Sequence, residues 1–151
     1  MLHNVFYIAK SKLLNKYLNE IDVFALLLSA LCHDVDHTGR TNAFEASCYS
    51  NLAVKYNDEA ILENHHSATT FKIMVEEGFN ILSNFTAENF KYIRKIIISN
   101  ILHTDMKKHF ESLNSFEAKY PEFTRNPESL GKINSSIQKY QKQTIIKINN
   151  F

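Results

Sequence analysis

Cys32-His33-Asp34-Val35-Asp36-His37-Thr38-Gly39-Arg40-Thr41-Asn42 carries two imidazoles and two carboxylates within five residues, directly after an apolar run. That run, Val23 to Cys32, is broken only by Ser29. From Ile21 to Leu31 the apolar side chains fall on every side of a helix, the pattern of a segment enclosed by others. Asn19 is a ready N-cap for it, with Glu20 and Asp22 in its first turn, and Gly39 is a natural terminator. The His and Asp side chains therefore fall at the end of a core helix, where they can converge on a cleft. An all-α fold follows, because three Gly and two Pro in 151 residues leave little punctuation for hairpins.

Other helical patterns flank this stretch on both sides. Leu2, Val5, Phe6, Leu13, Leu14 and Tyr17 have helical spacing, which predicts an amphipathic helix over Leu2 to Leu18 with no capping residue before it. Asn42 and Glu45 have the spacing of a capping box for a helix carrying Ala43, Phe44, Cys48 and Leu52 on one face. After a polar break at Lys55 to Asp58, a helix from about Glu59 to Glu77 is expected, closed by Gly78 and carrying Glu63-Asn64-His65-His66 in its middle. Thr86 caps a long helix from Ala87 to about Phe110, with Phe90, Ile93, Ile97 and Ile101 on one stripe and Arg94 and Lys95 opposite.

Beyond Glu111 the pattern weakens. Pro121 and Pro127 break any long helix, and residues 126 to 143 are rich in Asn, Ser, Gln and Lys. The expected organisation is a main region over 1–111, a polar insert or surface helix over 112–144, and the start of another apolar helix over 145–151. The length suits one domain with a real core. A net charge of +1 gives no electrostatic case for nucleic acid or an anionic membrane. The longest apolar run is about half of what a bilayer span needs, and Lys10, Lys12 and Lys16 interrupt any signal-peptide core. Two cysteines, Cys32 and Cys48, do not make a disulfide framework, so a reducing, cytoplasmic setting is expected, with membrane attachment of a larger parent left open.

The chemistry of the opening stretch is that of a metal site. Neighbours on a helix point about 100° apart, so His33 and Asp34 share an ion only if it sits at the helix end. His37, four residues after His33, returns to the same face. Neutral imidazole with carboxylate suits zinc or a related divalent ion, and a carboxylate can bridge to a harder second ion. A hydrogen-bonded His and Asp pair capping a helix is the plainer alternative. Glu63, His65 and His66 can support such a site or stand as a polar helix face. Thr104 and Asp105 alone amount to a local polar interaction near a helix end.

Taken together, these stretches resemble the catalytic domain of the class I cyclic nucleotide phosphodiesterases, within the wider HD superfamily of metal phosphohydrolases. The family pattern His-Asp-x-x-His-x-x-x-x-Asn stands here as His33, Asp34, His37 and Asn42. Tyr56-Asn57-Asp58, Leu62 to His66 and Thr104 to His109 follow in the family's order, so the likeness covers roughly Leu2 to His109. It implies an all-α fold and hydrolysis of cyclic AMP or cyclic GMP to the 5′-monophosphate. It further implies zinc on His33 and Asp34, and a magnesium or manganese that shares Asp34. Glu63, His37 and Thr104 would hold waters around the second ion, while Asn42, His65, His66 and Asp105 would shape the pocket.

The departures from the family pattern matter as well. The family's His-Asn-x-x-His motif, which supplies the general acid and a ligand, is imitated at His3 to Tyr7, but Tyr7 stands where the ligand should be. No general acid is therefore expected in this chain. The last metal-ligand Asp and the base-holding glutamine would come after Phe151. The reading is thus a central part of a catalytic domain with doubtful activity on its own and exposed apolar surface. The alternatives are a non-catalytic remnant that binds a metal or a partner, or another HD-superfamily phosphohydrolase.

Overall fold

A computed structural model describes residues 1–12 and 14–119, with Asn15 by its backbone alone. It divides into one compact unit over Met1–His109 and a second from Phe110 onward. Seven helices make up the described residues, with no strand among them: α1 Leu2–Ala9, α2 Glu20–Cys32, α3 Asn42–Ser47, α4 Asn51–Tyr56, α5 Ile61–Met74, α6 Ala87–Leu102 and α7 Met106–Lys119. The all-α expectation holds. The expected apolar segment over 145–151, and the expected insert beyond Lys119, lie outside the described residues.

Helix boundaries follow from hydrogen bonds that residue spacing does not show. The helix expected over Leu2 to Leu18 stops at Ala9, and the Ser11 hydroxyl takes the Leu14 N–H at the start of a single 3₁₀ turn, Leu14–Lys16. Serine offers the backbone an alternative to the helix here. At α2 the expected cap is present: Asn19 Oδ1 accepts from Asp22 N–H at 2.8 Å, and Asp22 Oδ2 accepts from Asn19 N–H at 3.0 Å. The long helix expected over Ala87 to Phe110 starts on Thr86 but ends at Leu102. There His103 Nδ1–H and the Thr104 hydroxyl donate to the Ser99 and Ile101 carbonyls, and Asp105 accepts from Lys107 N–H to begin α7.

The core forms where α2 packs on α6, with α5 closing it. Ile93, Ile97 and Ile101 are wholly buried at a spacing of four, against Ala25, Leu28, Phe71, Met74 and Leu82. Each such side chain contributes about 1.5–3 kcal/mol of transfer free energy. Two cross-links fix the α2–α6 register. Tyr92 donates to Asp22 at 2.7 Å, and Asn100 donates to the Ser29 hydroxyl at 3.1 Å. Ser29 itself donates to the Ala25 carbonyl, so its interruption of the apolar run is satisfied inside the core. Arg94 is not simply turned to water, because its guanidinium lies 4.0 Å over the Phe71 ring.

One face of α2 is open, which corrects the expectation of a helix enclosed all round. Leu31 is 65% exposed. With Phe24, Leu27 and Leu28 of α2 and Leu2, His3 and Phe6 of α1, it lines an apolar groove of about 550 Å³.

Candidate metal centre

The site begins where α2 ends. Cys32 is the last helical residue and His33 its C-cap, so the helix stops before Gly39, whose positive φ of 77° serves the loop further on. His33 Nδ1 lies 3.0 Å from the Ala30 carbonyl. A carbonyl cannot donate, so Nδ1 carries a proton and Nε2 is the nitrogen that faces the carboxylate. That Nε2 lies 2.9 Å from Asp34 Oδ2. Two electron-rich atoms this close require a proton or a cation between them. With its ring fixed by a backbone carbonyl, His33 has the arrangement that metal-ligating histidines use.

The turn then docks on α5 through two neighbouring residues. His66 Nδ1 donates to the Val35 carbonyl at 2.8 Å, and His65 Nε2 donates to Asp36 Oδ2 at 2.8 Å. Burial holds the His66 pKa below the ordinary imidazole range, partly offset by its bond to Val35, so the ring is neutral. The His37 ring stacks on His66 with centroids 5.4 Å apart. Its Nδ1 accepts the Gly39 N–H at 2.9 Å, which leaves Nε2–H as its donor.

Asn42 is not the N-cap of α3, contrary to the capping-box expectation. Thr41 takes that place, its hydroxyl accepting from Phe44 N–H. Asn42 is thereby free to reach α5. Its Nδ2 donates to Glu63 Oε2 at 2.9 Å, and its Oδ1 accepts from Leu62 N–H at 2.9 Å. Helix α5 needs this help: it starts at Ile61 rather than Glu59, and its own N-cap, Ala60, has a left-handed φ of 44° and no side-chain oxygen to offer. It ends at Met74, four residues short of Gly78. Thus a residue 20 positions earlier caps the helix and orients the carboxylate of Glu63.

Thr104 joins the site across a different surface. With His33, Ser29, Asn100 and His103 it lines a cavity of about 210 Å³ between α2 and the end of α6, covered partly by Met1 and Val5. Asp105 is brought no closer than its capping role at α7. Glu45, the expected capping-box partner, is instead 2% exposed and accepts from the Thr38 hydroxyl at 2.9 Å. Hydroxyl donation from Ser50 and Thr38 holds its carboxyl below the usual range. Asp36, Thr38 and Glu45 were not marked by the sequence as site residues; only the adjacency of Asp36 to the motif hinted at it.

The donor chemistry therefore suits a divalent cation at His33 and Asp34. Among the described residues, however, no three His, Cys, Asp or Glu side chains come together as a metal-binding group. Two donors fall short of the four that a zinc ion takes.

A family model described as 3′5′-cyclic nucleotide phosphodiesterase matches residues 1–150. The chain belongs to the cyclic nucleotide phosphodiesterase family. It is similar to the 3′,5′-cyclic-nucleotide phosphodiesterase regA of Dictyostelium discoideum, 42% identical over 102 residues, which are 68% of this chain and 13% of that protein. It is also similar to the human high affinity cGMP-specific 3′,5′-cyclic phosphodiesterase 9A, 41% identical over 115 residues, 76% of this chain and 19% of the relative. Among solved structures, the phosphodiesterase domain of the RhoPDE fusion protein of Salpingoeca rosetta superposes with a TM-score of 0.74 at 41% identity, over 78% of this chain and 37% of that one. The chain thus spans a minor part of these phosphodiesterases, and its all-α fold is theirs.

Proposed function

We propose that this chain supplies part of a catalytic centre that hydrolyses 3′,5′-cyclic nucleotides to 5′-nucleoside monophosphates. The observation that carries this reading is the His33–Asp34 pair, with His33 Nδ1 tied to the Ala30 carbonyl and Nε2 set 2.9 Å from the carboxylate. His33 Nε2 and the Asp34 carboxylate would hold a zinc ion, and Asp34 would be shared with magnesium or manganese. When bound, such a pair of cations supplies a nucleophile at neutral pH and neutralises phosphoryl charge. The chain's own residues would do the positioning. His37 offers Nε2–H to water, Glu63 offers a carboxylate oxygen held by Asn42, and the Thr104 hydroxyl lines the cavity beside His33. His65, His66 and Asp105 would shape the surroundings.

Relatives include enzymes described as cGMP-specific and as cAMP-specific, so the substrate class proposed is the cyclic diester common to both. The free thiols Cys32 and Cys48 suit a reducing, cytoplasmic setting. No helix among the described residues is long and apolar enough to cross a membrane.

A chimera tests the reading. The matched 102-residue stretch of the Dictyostelium relative is replaced by that of this chain. Hydrolysis of cyclic AMP or cyclic GMP that is lost on His33→Ala or Asp34→Ala supports the proposal. A folded chimera with no turnover sinks it. The two-donor geometry favours a second reading for the chain by itself, in which it binds a divalent ion without turning over substrate.

A further inference from the structure

His37 is exposed and sits on a loop, yet its ring and both of its chain neighbours make specific contacts. The residue before it, Asp36, is tied to His65 of α5 at 2.8 Å. The residue after it, Thr38, is tied to Glu45 of α3 at 2.9 Å. Its own Nδ1 accepts the Gly39 N–H, and its face stacks on His66. Fixing an exposed side chain costs conformational entropy and buries little apolar surface in return. The bond from Thr38 satisfies the buried Glu45 carboxylate and so serves stability as well as restraint. The Asp36–His65 bond differs, because its carboxylate is 67% exposed, a setting in which a polar contact adds little to folding.

We propose that Asp36 and Glu45 are positioning residues for His37: two carboxylates that clamp the loop on either side of it to two different helices and so present Nε2–H in one orientation. Glu45 suits the task because it is 2% exposed, so the Thr38 hydroxyl bonds to a carboxylate that cannot wander. Asp36 suits it because its positive φ of 59° turns the chain sharply at the point where its side chain meets His65. The role of this clamp in handling water rests on the proposed phosphodiesterase site; the clamp itself rests on the geometry alone.

The test uses the 151-residue chain at a pH well above the ordinary imidazole range, with long-range proton–nitrogen NMR of the histidine rings. The wild-type chain is expected to show His37 as a single Nε2–H tautomer. Asp36→Gly permits the left-handed backbone without strain and removes the bond to His65, and Thr38→Val removes the hydroxyl without changing shape. Each is expected to turn His37 into a mixture of tautomers while His103, on α6, and the helical circular dichroism stay unchanged. Glu45→Gln is expected to retain the single form, because a carboxamide oxygen still accepts from Thr38. His37 ring shifts unchanged in both Asp36→Gly and Thr38→Val overturn the clamp. A zinc titration of the same proteins separates the two readings. A wild-type chain that takes up no zinc overturns the metal site, and the tautomer result still decides the clamp.

Discussion

Asn42 shows how one side chain can serve two elements at once. Its amide group caps the first turn of α5 and holds Glu63, so Asn42→Ala is expected to lower unfolding free energy by about 1 kcal/mol, the usual value of a lost N-cap. Asn42→Asp keeps the cap acceptor but sets a second carboxylate against Glu63, and is expected to be at least as costly. Urea unfolding of the three proteins measures both. Tyr92 gives a pH signature. Burial and its bond to Asp22 push its pKa up to about 12. The folded value lies above the unfolded one of about 10, so this stabilisation is fully present below pH ~10 and is lost as pH rises through the folded value. Tyr92→Phe is expected to flatten the alkaline limb of stability against pH; an unchanged limb would show that Tyr92 does not set it.

Among the elements, α6 is the one on which the core depends. Thr86→Ala removes the acceptor for Asn89 N–H and is expected to cost about 1 kcal/mol. Ile97→Ala, at a wholly buried position between Ile93 and Ile101, is expected to cost about 2–5 kcal/mol by transfer and cavity formation together. Thermal unfolding of the two variants should rank them in that order. The cap of α6 was legible in the sequence, because Thr86 precedes a clean apolar stripe. Its end was not. Nothing in His103-Thr104-Asp105 breaks a helix by composition; the break comes from side chains that take the last carbonyls for themselves. The same kind of competition, by Ser11, shortened α1.

For the whole molecule, the proposed centre and the fold make one joint prediction. The chain alone, with saturating zinc and magnesium, is expected to give negligible turnover of cyclic AMP or cyclic GMP, because the described residues bring only two ligating side chains together. Weak zinc uptake lost on His33→Ala is expected in the same preparation, and robust turnover would refute the view that the pair is insufficient. The helical fold, the core stripe of α6, the cap of α2 and the place of His33 and Asp34 at the end of α2 were all readable from the sequence. Each depends on residues a few positions apart, where spacing and chemistry act locally. The tertiary structure alone decided the rest: that Thr41 rather than Asn42 caps α3, that Asn42 reaches α5 instead, that Glu45 is buried against Thr38, and that Asp36 meets His65. Apart from the Thr41 cap, those partners lie 7 to 29 positions apart in the chain. No periodicity records such pairs, because they exist only after α3 and α5 have packed around the turn that ends α2.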